Sequence, residues 1–148
     1  MIKKSILVVC VHNSARSQMA EEYFKLYGGN LFTAESAGLE PGNLNPYVVS
    51  VLKEDGIDIS TKKTQNAFDL HKNGNKYSYV ITVCSREAEE RCPVYPNTLQ
   101  RYHWPFDDPS SFSGTDIEIM DKTRAVRDQI KIKIQNFIKE YRKTIISK

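Results

Sequence analysis

Hydrophobic residues in this chain fall into short β-branched runs that alternate with segments of helical spacing. Residues 6–11 form a continuous apolar run, which is typical of a parallel strand that is covered on both faces. Apolar positions then recur at steps of three and four over 19–27, which predicts a helix that Gly28 and its neighbour can end. A second strand is predicted over 31–37, so the chain begins as β, α, β.

The same reasoning predicts the later elements. A helix begins at Asn45-Pro46, a cap followed by a first-turn proline, and Gly56 ends it. Then follow a polar loop with room for a short helix (60–76), a strand (77–83), a short acidic helix or turn (85–91) and a strand (98–104). The final segment is one long helix with an apolar stripe: Val126, Ile130, Ile134, Phe137, Tyr141 and Ile145.

This order predicts a single α/β domain over residues 1–148, with a four-stranded parallel sheet flanked by helices. Ligands of such sheets bind beyond the carboxyl ends of the strands. That edge brings together the loop 10–16, the turn at Cys84 and the loop at Asp107-Asp108. We therefore expect the chemistry of the protein to lie there.

Composition narrows the class of protein. Of the 148 residues, 40% are hydrophobic and 26% are charged, which is ordinary for a soluble globular domain. The net charge is +3, and residues 115–148 alone carry nine basic and five acidic side chains. The positive excess thus belongs to the last helix and is not spread as a stripe with interleaved aromatics, so nucleic-acid binding is not expected.

Three cysteines are too few, and odd in number, for a secreted disulfide framework. Lys3 and Lys4 precede an apolar run, as in a signal peptide, but the run stops at His12, short of a secretory core. We expect a cytoplasmic protein without a membrane span, acting as a monomer. The question that remains is what three thiols do in a reducing compartment.

The first predicted strand runs into a loop with the pattern Cys, five residues, Arg, Ser. A loop that enters a helix N-terminus turns several backbone N–H groups inward and forms an anion cradle. We expect this loop to bind an oxyanion through Val11, His12, Asn13, Ser14, Ala15, Arg16 and Ser17.

Cys10 is the predicted nucleophile of this loop. The positive field of the cradle favours the thiolate, and Ser17 can donate a hydrogen bond to it. Arg16 adds a planar fork that can grip two oxygens of a tetrahedral anion, and Asn13 tolerates the left-handed backbone of a tight loop. The opposite interpretation, a buried structural cysteine beside a solvated Arg16, fits a lone cysteine better than it fits this combined pattern.

Two further cysteines follow. Cys84 ends the third predicted strand at the same sheet edge as Cys10, and by itself it fits a core position equally well. Cys92 comes after the charged segment 85–91, which we expect to be exposed. Zinc is not favoured, because no second cysteine pair or close histidine pair completes a tetrahedral site, and His103 is interpreted as an ordinary strand residue.

The loop resembles that of the low-molecular-weight tyrosine phosphatase superfamily, and 13–21 resembles its thioredoxin-coupled arsenate reductase branch. The resemblance covers nearly the whole chain. It includes Glu35-Ser36-Ala37-Gly38, Gly56-Ile57-Asp58-Ile59-Ser60, Thr82-Val83-Cys84, Cys92-Pro93 and His103-Trp104-Pro105-Phe106-Asp107-Asp108-Pro109.

This resemblance implies the reduction of arsenate to arsenite, in arsenic detoxification. Cys10 would attack the arsenate, Asp108 would act as general acid, and Cys84 and Cys92 would form a redox-active disulfide relay with Cys10. Thioredoxin would reduce the final disulfide, and phosphate or sulfate would bind as analogues of arsenate. Asp107 competes with Asp108 for the role of acid.

Two alternatives remain open from the sequence. A low-molecular-weight protein tyrosine phosphatase would use Cys10, Arg16 and Asp108 in the same way, but Ser110-Ser111 follow the Asp-Pro pair where that branch places aromatics. A non-catalytic oxyanion or redox sensor would need the cradle but no proton donor or relay.

No tightly bound cofactor is expected. The resemblance does imply a candidate potassium site, since Asn13, Glu21 and Ser36 match the ligand positions of some relatives. A fourth position, acidic in those relatives, is Gln65 here.

Overall fold

Strand β1 lies at the centre of a four-stranded parallel sheet in the computed structural model, which describes residues 2–146. The sheet order is β2-β1-β3-β4, and the strands are β1 (Lys4–Cys10), β2 (Phe32–Gly38), β3 (Tyr79–Thr82) and β4 (Gln100–His103). In the central strand, Ile6 pairs with Ala34 on one side and with Tyr79 on the other. This confirms the predicted α/β class and the parallel sheet. Residues 1, 147 and 148 of the predicted domain lie outside the described residues.

The helices alternate with these strands. They are α1 (Arg16–Gly28), α2 (Pro46–Lys53), α3 (Ala67–Lys72), α4 (Arg86–Glu89) and α5 (Asp116–Ile146), and a 3₁₀ turn covers Pro109–Ser111. The Asn45 side chain accepts the N–H groups of Tyr47 and Val48, so the predicted cap begins α2. Within residues 2–146, none of the helices combines the length and the apolar character that a membrane span requires.

The long helix α5 covers one face of the sheet with a stripe that differs in part from the predicted one. Val126, Ile130 and Ile134 are buried as expected, and the stripe continues through Ile138. Phe137 is only half-buried, because its ring packs at the border of the core against Phe24, Tyr102 and Trp104, at centroid separations of 5.8, 5.3 and 5.5 Å. Tyr141 and Ile145 are half-buried as well.

The topology places one crevice at the carboxyl end of β1. The chain leaves β1 to form β2 on one side and later crosses to form β3 on the other side. The connection after β1 thus leads toward β2, and the connection after β3 leads toward β4 on the other side. They diverge between the carboxyl ends of β1 and β3, which is the switch point where open α/β sheets bind ligands. Residues Ile6 to Cys10 are all buried. Cys10 therefore lies at the crevice as the last residue of a strand that is covered on both faces.

Candidate active site

The loop after β1 is held from outside through its carbonyl groups. Backbone N–H groups of the following segment donate to these carbonyls in four hydrogen bonds: Leu39 to Cys10 at 3.1 Å, Glu40 to Val11 at 2.7 Å, Gly42 to His12 at 3.0 Å and Asn45 to Ser14 at 2.9 Å. In a trans peptide the N–H points away from the C=O, so the N–H groups of these four peptides face the side opposite to this segment. Peptide N–H groups arranged in this manner bind anions.

Two residues allow the loop to close so tightly. Asn13 adopts a left-handed backbone with φ of +54°, as its residue type permits. Gly38, at the end of β2, lies so close that a Cβ atom there would stand 2.7 Å from the Val11 oxygen and 2.8 Å from the Asn13 nitrogen. The His12 side chain points away to the surface, where its Nδ1 bonds the Glu40 carbonyl at 2.8 Å. His12 therefore belongs to the cradle through its backbone.

The sulfur of Cys10 receives two hydrogen-bond donors. The Asn13 N–H donates to it at 3.2 Å, and the Ser17 hydroxyl lies 2.8 Å from it. Asn13 Nδ2 in turn donates to the Ser17 oxygen at 2.8 Å, so the hydroxyl proton of Ser17 is directed at the sulfur. Both donors stabilise negative charge on Cys10, as the sequence predicted for Ser17.

The orientation of the Asn13 amide is fixed by its neighbours. Its Oδ1 accepts the backbone N–H of Gln65 at 2.9 Å and Nε2 of Gln18 at 3.1 Å, and a backbone N–H can only donate. Nδ2 therefore also donates to the Ser36 oxygen, at 2.9 Å, and the Ser36 hydroxyl donates to Glu21 at 2.6 Å. A directed chain of hydrogen bonds thus joins the buried Glu21 carboxylate to the Cys10 sulfur.

Glu21 is the charged end of this chain. Burial by itself would raise the pKa of Glu21, but hydrogen bonds from Lys25, Lys62 and Ser36 outweigh burial and hold the pKa below its ordinary value. Lys62 Nζ lies 2.7 Å from the carboxylate, and Lys25 bonds the same oxygen. Sequence reasoning missed Lys62, because nothing in its local pattern indicates that its loop returns to α1.

These contacts bear on the candidate potassium site. Asn13 Oδ1 is occupied by two N–H donors, Ser36 donates its proton to Glu21, and the second Glu21 oxygen is paired with two ammonium groups. The residues therefore do not fit a potassium ion in this arrangement. The described part of the chain also contains no group of three or more His, Cys, Asp or Glu side chains able to hold a metal ion.

Arg16, the first residue of α1, is buried, with 7% of its surface exposed. Its Nη1 donates to the carbonyls of Phe106 at 3.2 Å and Val83 at 3.4 Å, which orients the guanidinium. Its Nη2 lies 3.5 Å from the Asp108 carboxylate. Nε is buried and has no partner among the described residues. A buried donor without an acceptor is costly, so this group is suited to an anion in the loop.

Asp108 is the carboxylate that faces the site. One of its oxygens approaches Arg16, and the other accepts the Ser110 N–H at 3.0 Å, so Asp108 also caps the 3₁₀ turn. Asp107, its competitor, has an exposed side chain. The structure thus brings Asp108, and not Asp107, to Arg16.

Cys84 follows β3 at the same edge of the sheet, fully buried. Burial raises the pKa of its thiol, the nearby Cys10 adds to this rise, and the positive charge of Arg16 opposes it. His103 Nε2 donates to the Cys84 carbonyl at 2.7 Å. His103 thus fixes the backbone at this cysteine, a role that its interpretation as an ordinary strand residue did not include.

Cys92 and part of the segment before it are more buried than the sequence predicts. The sequence predicts that residues 85–91 are exposed, and most of them are, but Ala88 is buried and Glu89 half-buried. Cys92 itself is only 6% exposed, and burial raises the pKa of its thiol to about 11, against the charge of Arg101. The turn after α4 holds the cysteine, since the Cys92 N–H donates to the Glu89 carbonyl at 3.1 Å. All three cysteines are free thiols.

Comparison with known proteins places the chain among relatives with this architecture. Residues 5–146 match the family of low molecular weight phosphotyrosine protein phosphatases. An arsenate reductase of Halalkalibacterium halodurans is 42% identical over 137 residues, which are 93% of this chain and 96% of that protein. A solved arsenate reductase in its phosphate binding state has 31% identity and a TM-score of 0.72, covering 93% of this chain and 98% of the other. Another, in its oxidized state, has 28% identity and a TM-score of 0.74 at the same coverage. The chain therefore belongs to the low molecular weight phosphotyrosine protein phosphatase family, within which it groups with the arsenate reductases.

Proposed function

We propose that this protein reduces arsenate to arsenite in arsenic detoxification, with Cys10 as the nucleophile. Arsenate is a tetrahedral oxyanion, and the loop offers it inward-facing N–H groups together with the unpartnered Nε of Arg16. Phosphate and sulfate have the same shape and should bind as analogues. The relative solved in its phosphate binding state supports this choice of ligand.

In the first step, the Cys10 thiolate forms a bond to arsenic, and one oxygen leaves. That oxygen needs a proton to depart as water, and we assign the role of proton donor to Asp108, which lies beside Arg16. Arg16 binds two of the remaining oxygens. As the sulfur–arsenic bond forms, the sulfur loses the negative charge that Ser17 and the Asn13 N–H stabilised. The product is an arsenic(V) group bound to Cys10.

In the second step, the Cys84 thiolate attacks the Cys10 sulfur. The sulfur–arsenic bond breaks, and its electron pair goes to arsenic, which leaves as arsenite in the +3 state. A Cys10–Cys84 disulfide forms, so two thiols supply the two electrons. The positive charge of Arg16, which opposes the rise in the Cys84 pKa, assists formation of the attacking thiolate.

In the third step, Cys92 attacks Cys84 and regenerates Cys10. A disulfide requires the two Cα atoms to lie within about 7 Å, so segment 85–91 must rearrange. The rearrangement carries the Cys84–Cys92 disulfide toward the surface, where thioredoxin can reduce it by thiol–disulfide exchange. The relative solved in its oxidized state is compatible with such a cycle.

We propose a single domain over residues 1–148, a monomer, that works in the cytoplasm without a resident cofactor. The ammonium groups of Lys25 and Lys62 balance the charge of the Glu21 carboxylate, and the proposed steps need no potassium ion.

The observation that carries the proposal is the presence of two additional buried thiols, Cys84 beside Cys10 and Cys92 beyond the short helix α4. A phosphatase needs neither Cys84 nor Cys92, because water cleaves its phosphocysteine. The test compares turnover of arsenate and of p-nitrophenyl phosphate, with and without thioredoxin and its reductase. We expect arsenate turnover that depends on thioredoxin, and aryl phosphate turnover at least about 100-fold slower.

A Cys92→Ser variant sharpens this test. It should complete one turnover, releasing one arsenite per protein, and then stop as a Cys10–Cys84 disulfide. Undiminished multiple turnover with thioredoxin would refute the relay. Efficient aryl phosphate hydrolysis without arsenate reduction would indicate a phosphatase, and phosphate binding without any turnover would indicate a sensor.

A further inference from the structure

The guanidinium of Arg101, on strand β4, holds the chain on both sides of Cys92. Its Nη2 donates to the Glu89 carbonyl oxygen at 2.9 Å, and its Nη1 donates to the Pro93 carbonyl oxygen at 3.2 Å. The same group grips the Glu89 carboxylate, with Nε at 2.9 Å and Nη2 at 2.6 Å from Oε2. One side chain thus binds the residue three before Cys92 and the residue just after it.

These contacts are stronger than an ordinary surface ion pair. The Arg101 and Glu89 side chains are 28% and 17% exposed, and both guanidinium edges take part. The Glu89 carbonyl also accepts the Cys92 N–H at 3.1 Å, so Arg101 braces the turn that buries the cysteine. Beyond it, the Tyr95 hydroxyl donates to the Ala67 carbonyl at 2.6 Å and anchors the chain to α3.

The position of this clamp matters for a relay that uses Cys92. Cys84 precedes α4 and Cys92 follows it, and all three cysteines are unbonded in this conformation. A bond between Cys84 and Cys92 requires the segment between them to change shape. Arg101 lies on β4 and binds the residues that flank Cys92, so a movement of this turn toward Cys84 acts against the contacts to Glu89 and Pro93.

We propose that Arg101 is a latch on the Cys92 segment, which keeps Cys92 buried in the resting protein and gates its attack on Cys84. This inference rests on the proposed function. In the gated step, the Cys92 thiolate attacks Cys84, a Cys84–Cys92 bond forms, and the Cys10–Cys84 bond breaks. The electron pair leaves with Cys10 as its thiolate, so the exchange needs no external oxidant. Arg101 acts on this step as a positioning residue.

A second role for Arg101 predicts the opposite effect. The guanidinium also opposes the rise of the Cys92 pKa that burial causes, and so favours the reactive thiolate. If this charge were its main contribution, its loss would slow the reactions of Cys92. If the latch dominates, its loss would accelerate them. The sign of the change therefore separates the two roles.

The test uses the full chain with Cys10→Ser and Cys84→Ser, so that Cys92 is the only thiol. Its alkylation by iodoacetamide, a neutral reagent, is followed by mass spectrometry from pH 7 to 10. We expect Arg101→Gln to accelerate alkylation at pH 8 about tenfold or more. Arg101→Lys should also accelerate it, because a single ammonium group cannot make four contacts in this geometry.

Arg91→Gln is the matched control. It removes one positive charge from the residue directly before Cys92. Within residues 2–146, the Arg91 side chain pairs with Glu40 alone, in an exposed contact at 3.1 Å. We expect less than a twofold change. Unchanged or slower alkylation in Arg101→Gln would overturn the latch, and so would restoration of the wild-type rate and pH profile by Arg101→Lys. If Arg101→Gln does not fold, Glu89→Gln takes its place, and no acceleration there would equally overturn it.

Failure of the latch and failure of the proposed function give different results. The alkylation assay contains no arsenate and judges the latch alone. In the three-cysteine protein, absence of a Cys10–Cys84 disulfide after arsenate would refute the proposed function whatever the alkylation rates are. If that disulfide forms, Arg101→Gln should speed its transfer to Cys84–Cys92 in quenched-flow samples, and an unchanged transfer rate would refute the gating.

Discussion

Replacing Gly38 by alanine should damage the oxyanion cradle without replacing any residue that binds the anion. Gly38 ends β2 and pairs with Cys10. A Cβ atom there would meet three backbone atoms of the loop: the Val11 oxygen at 2.7 Å, the Asn13 nitrogen at 2.8 Å and the His12 carbonyl carbon at 2.8 Å. Backbone atoms cannot rotate away as a side chain end can, so the loop itself must move.

The size of this movement can be estimated. Ordinary contacts of a Cβ atom begin near 3.4 Å, so the loop must shift by about 0.7 Å. A misplacement of about 1 Å at a reacting centre costs on the order of 100-fold in rate. We therefore expect kcat/KM for arsenate to fall roughly 10- to 100-fold in Gly38→Ala. Overpacking should also lower the free energy of unfolding by about 1–3 kcal/mol.

The assay has a matched control in Gly42→Ala. A Cβ atom at Gly42 would have the His12 Cβ as its nearest neighbour, at 3.7 Å, which is an ordinary contact. The variant keeps the N–H that donates to the His12 carbonyl. Phosphate affinity is measured by isothermal titration calorimetry, arsenate turnover by thioredoxin-coupled oxidation of NADPH, and folding by circular dichroism.

A specific result would refute this reasoning. If folded Gly38→Ala binds phosphate and turns over arsenate within about twofold of wild type, the loop does not depend on the close approach of β2. Equal losses in Gly38→Ala and Gly42→Ala would show that any added methyl group in this segment disturbs the site.

Three further predictions concern the acid, the nucleophile and its charged support. Asp108→Asn should lower kcat for arsenate about 100-fold by removing the proton donor, whereas Asp107→Asn should change it less than about threefold, as steady-state kinetics would measure. Ser17→Ala should slow alkylation of Cys10 by iodoacetamide about tenfold at pH 7, because the sulfur loses a hydroxyl donor; an unchanged rate would contradict the assignment. Glu21 has a lowered pKa, so its stabilisation is present above the unfolded value near 4.5 and is lost as pH falls through the folded value. Urea unfolding of Glu21→Gln should therefore show a loss of about 2 kcal/mol at pH 7 and a flatter decline below pH 4.5, and an unchanged pH dependence would exclude this carboxylate as its source.

The order of elements and the cradle could be predicted because both depend on patterns of neighbouring residues. The apolar run that ends at Cys10 and the spacing to Arg16 depend only on neighbouring residues. The cap at Asn45 is likewise a local device, and the structure confirms it. Local signals therefore located the loop after Cys10 and the edge of the sheet where it lies.

The features that sequence reasoning missed depend on which distant segments meet. Gly38 is constrained by the register between β1 and β2, and Lys62 reaches Glu21 across 41 positions of the chain. Arg101 and His103 look like ordinary strand residues until β4 is placed beside β3. Cys92 is buried by contacts with distant parts of the chain. The charges of 85–91 therefore did not predict its burial.

The central claim is that three thiols act in order on one oxyanion, and disulfide mapping tests it most directly. Fully reduced protein is mixed with one equivalent of arsenate, quenched with N-ethylmaleimide and digested for mass spectrometry. The account predicts two thiols lost per arsenite formed, first as Cys10–Cys84 and then as Cys84–Cys92, with Cys10 again free. Arsenite formed without loss of thiols, or a final disulfide that still contains Cys10, would contradict it.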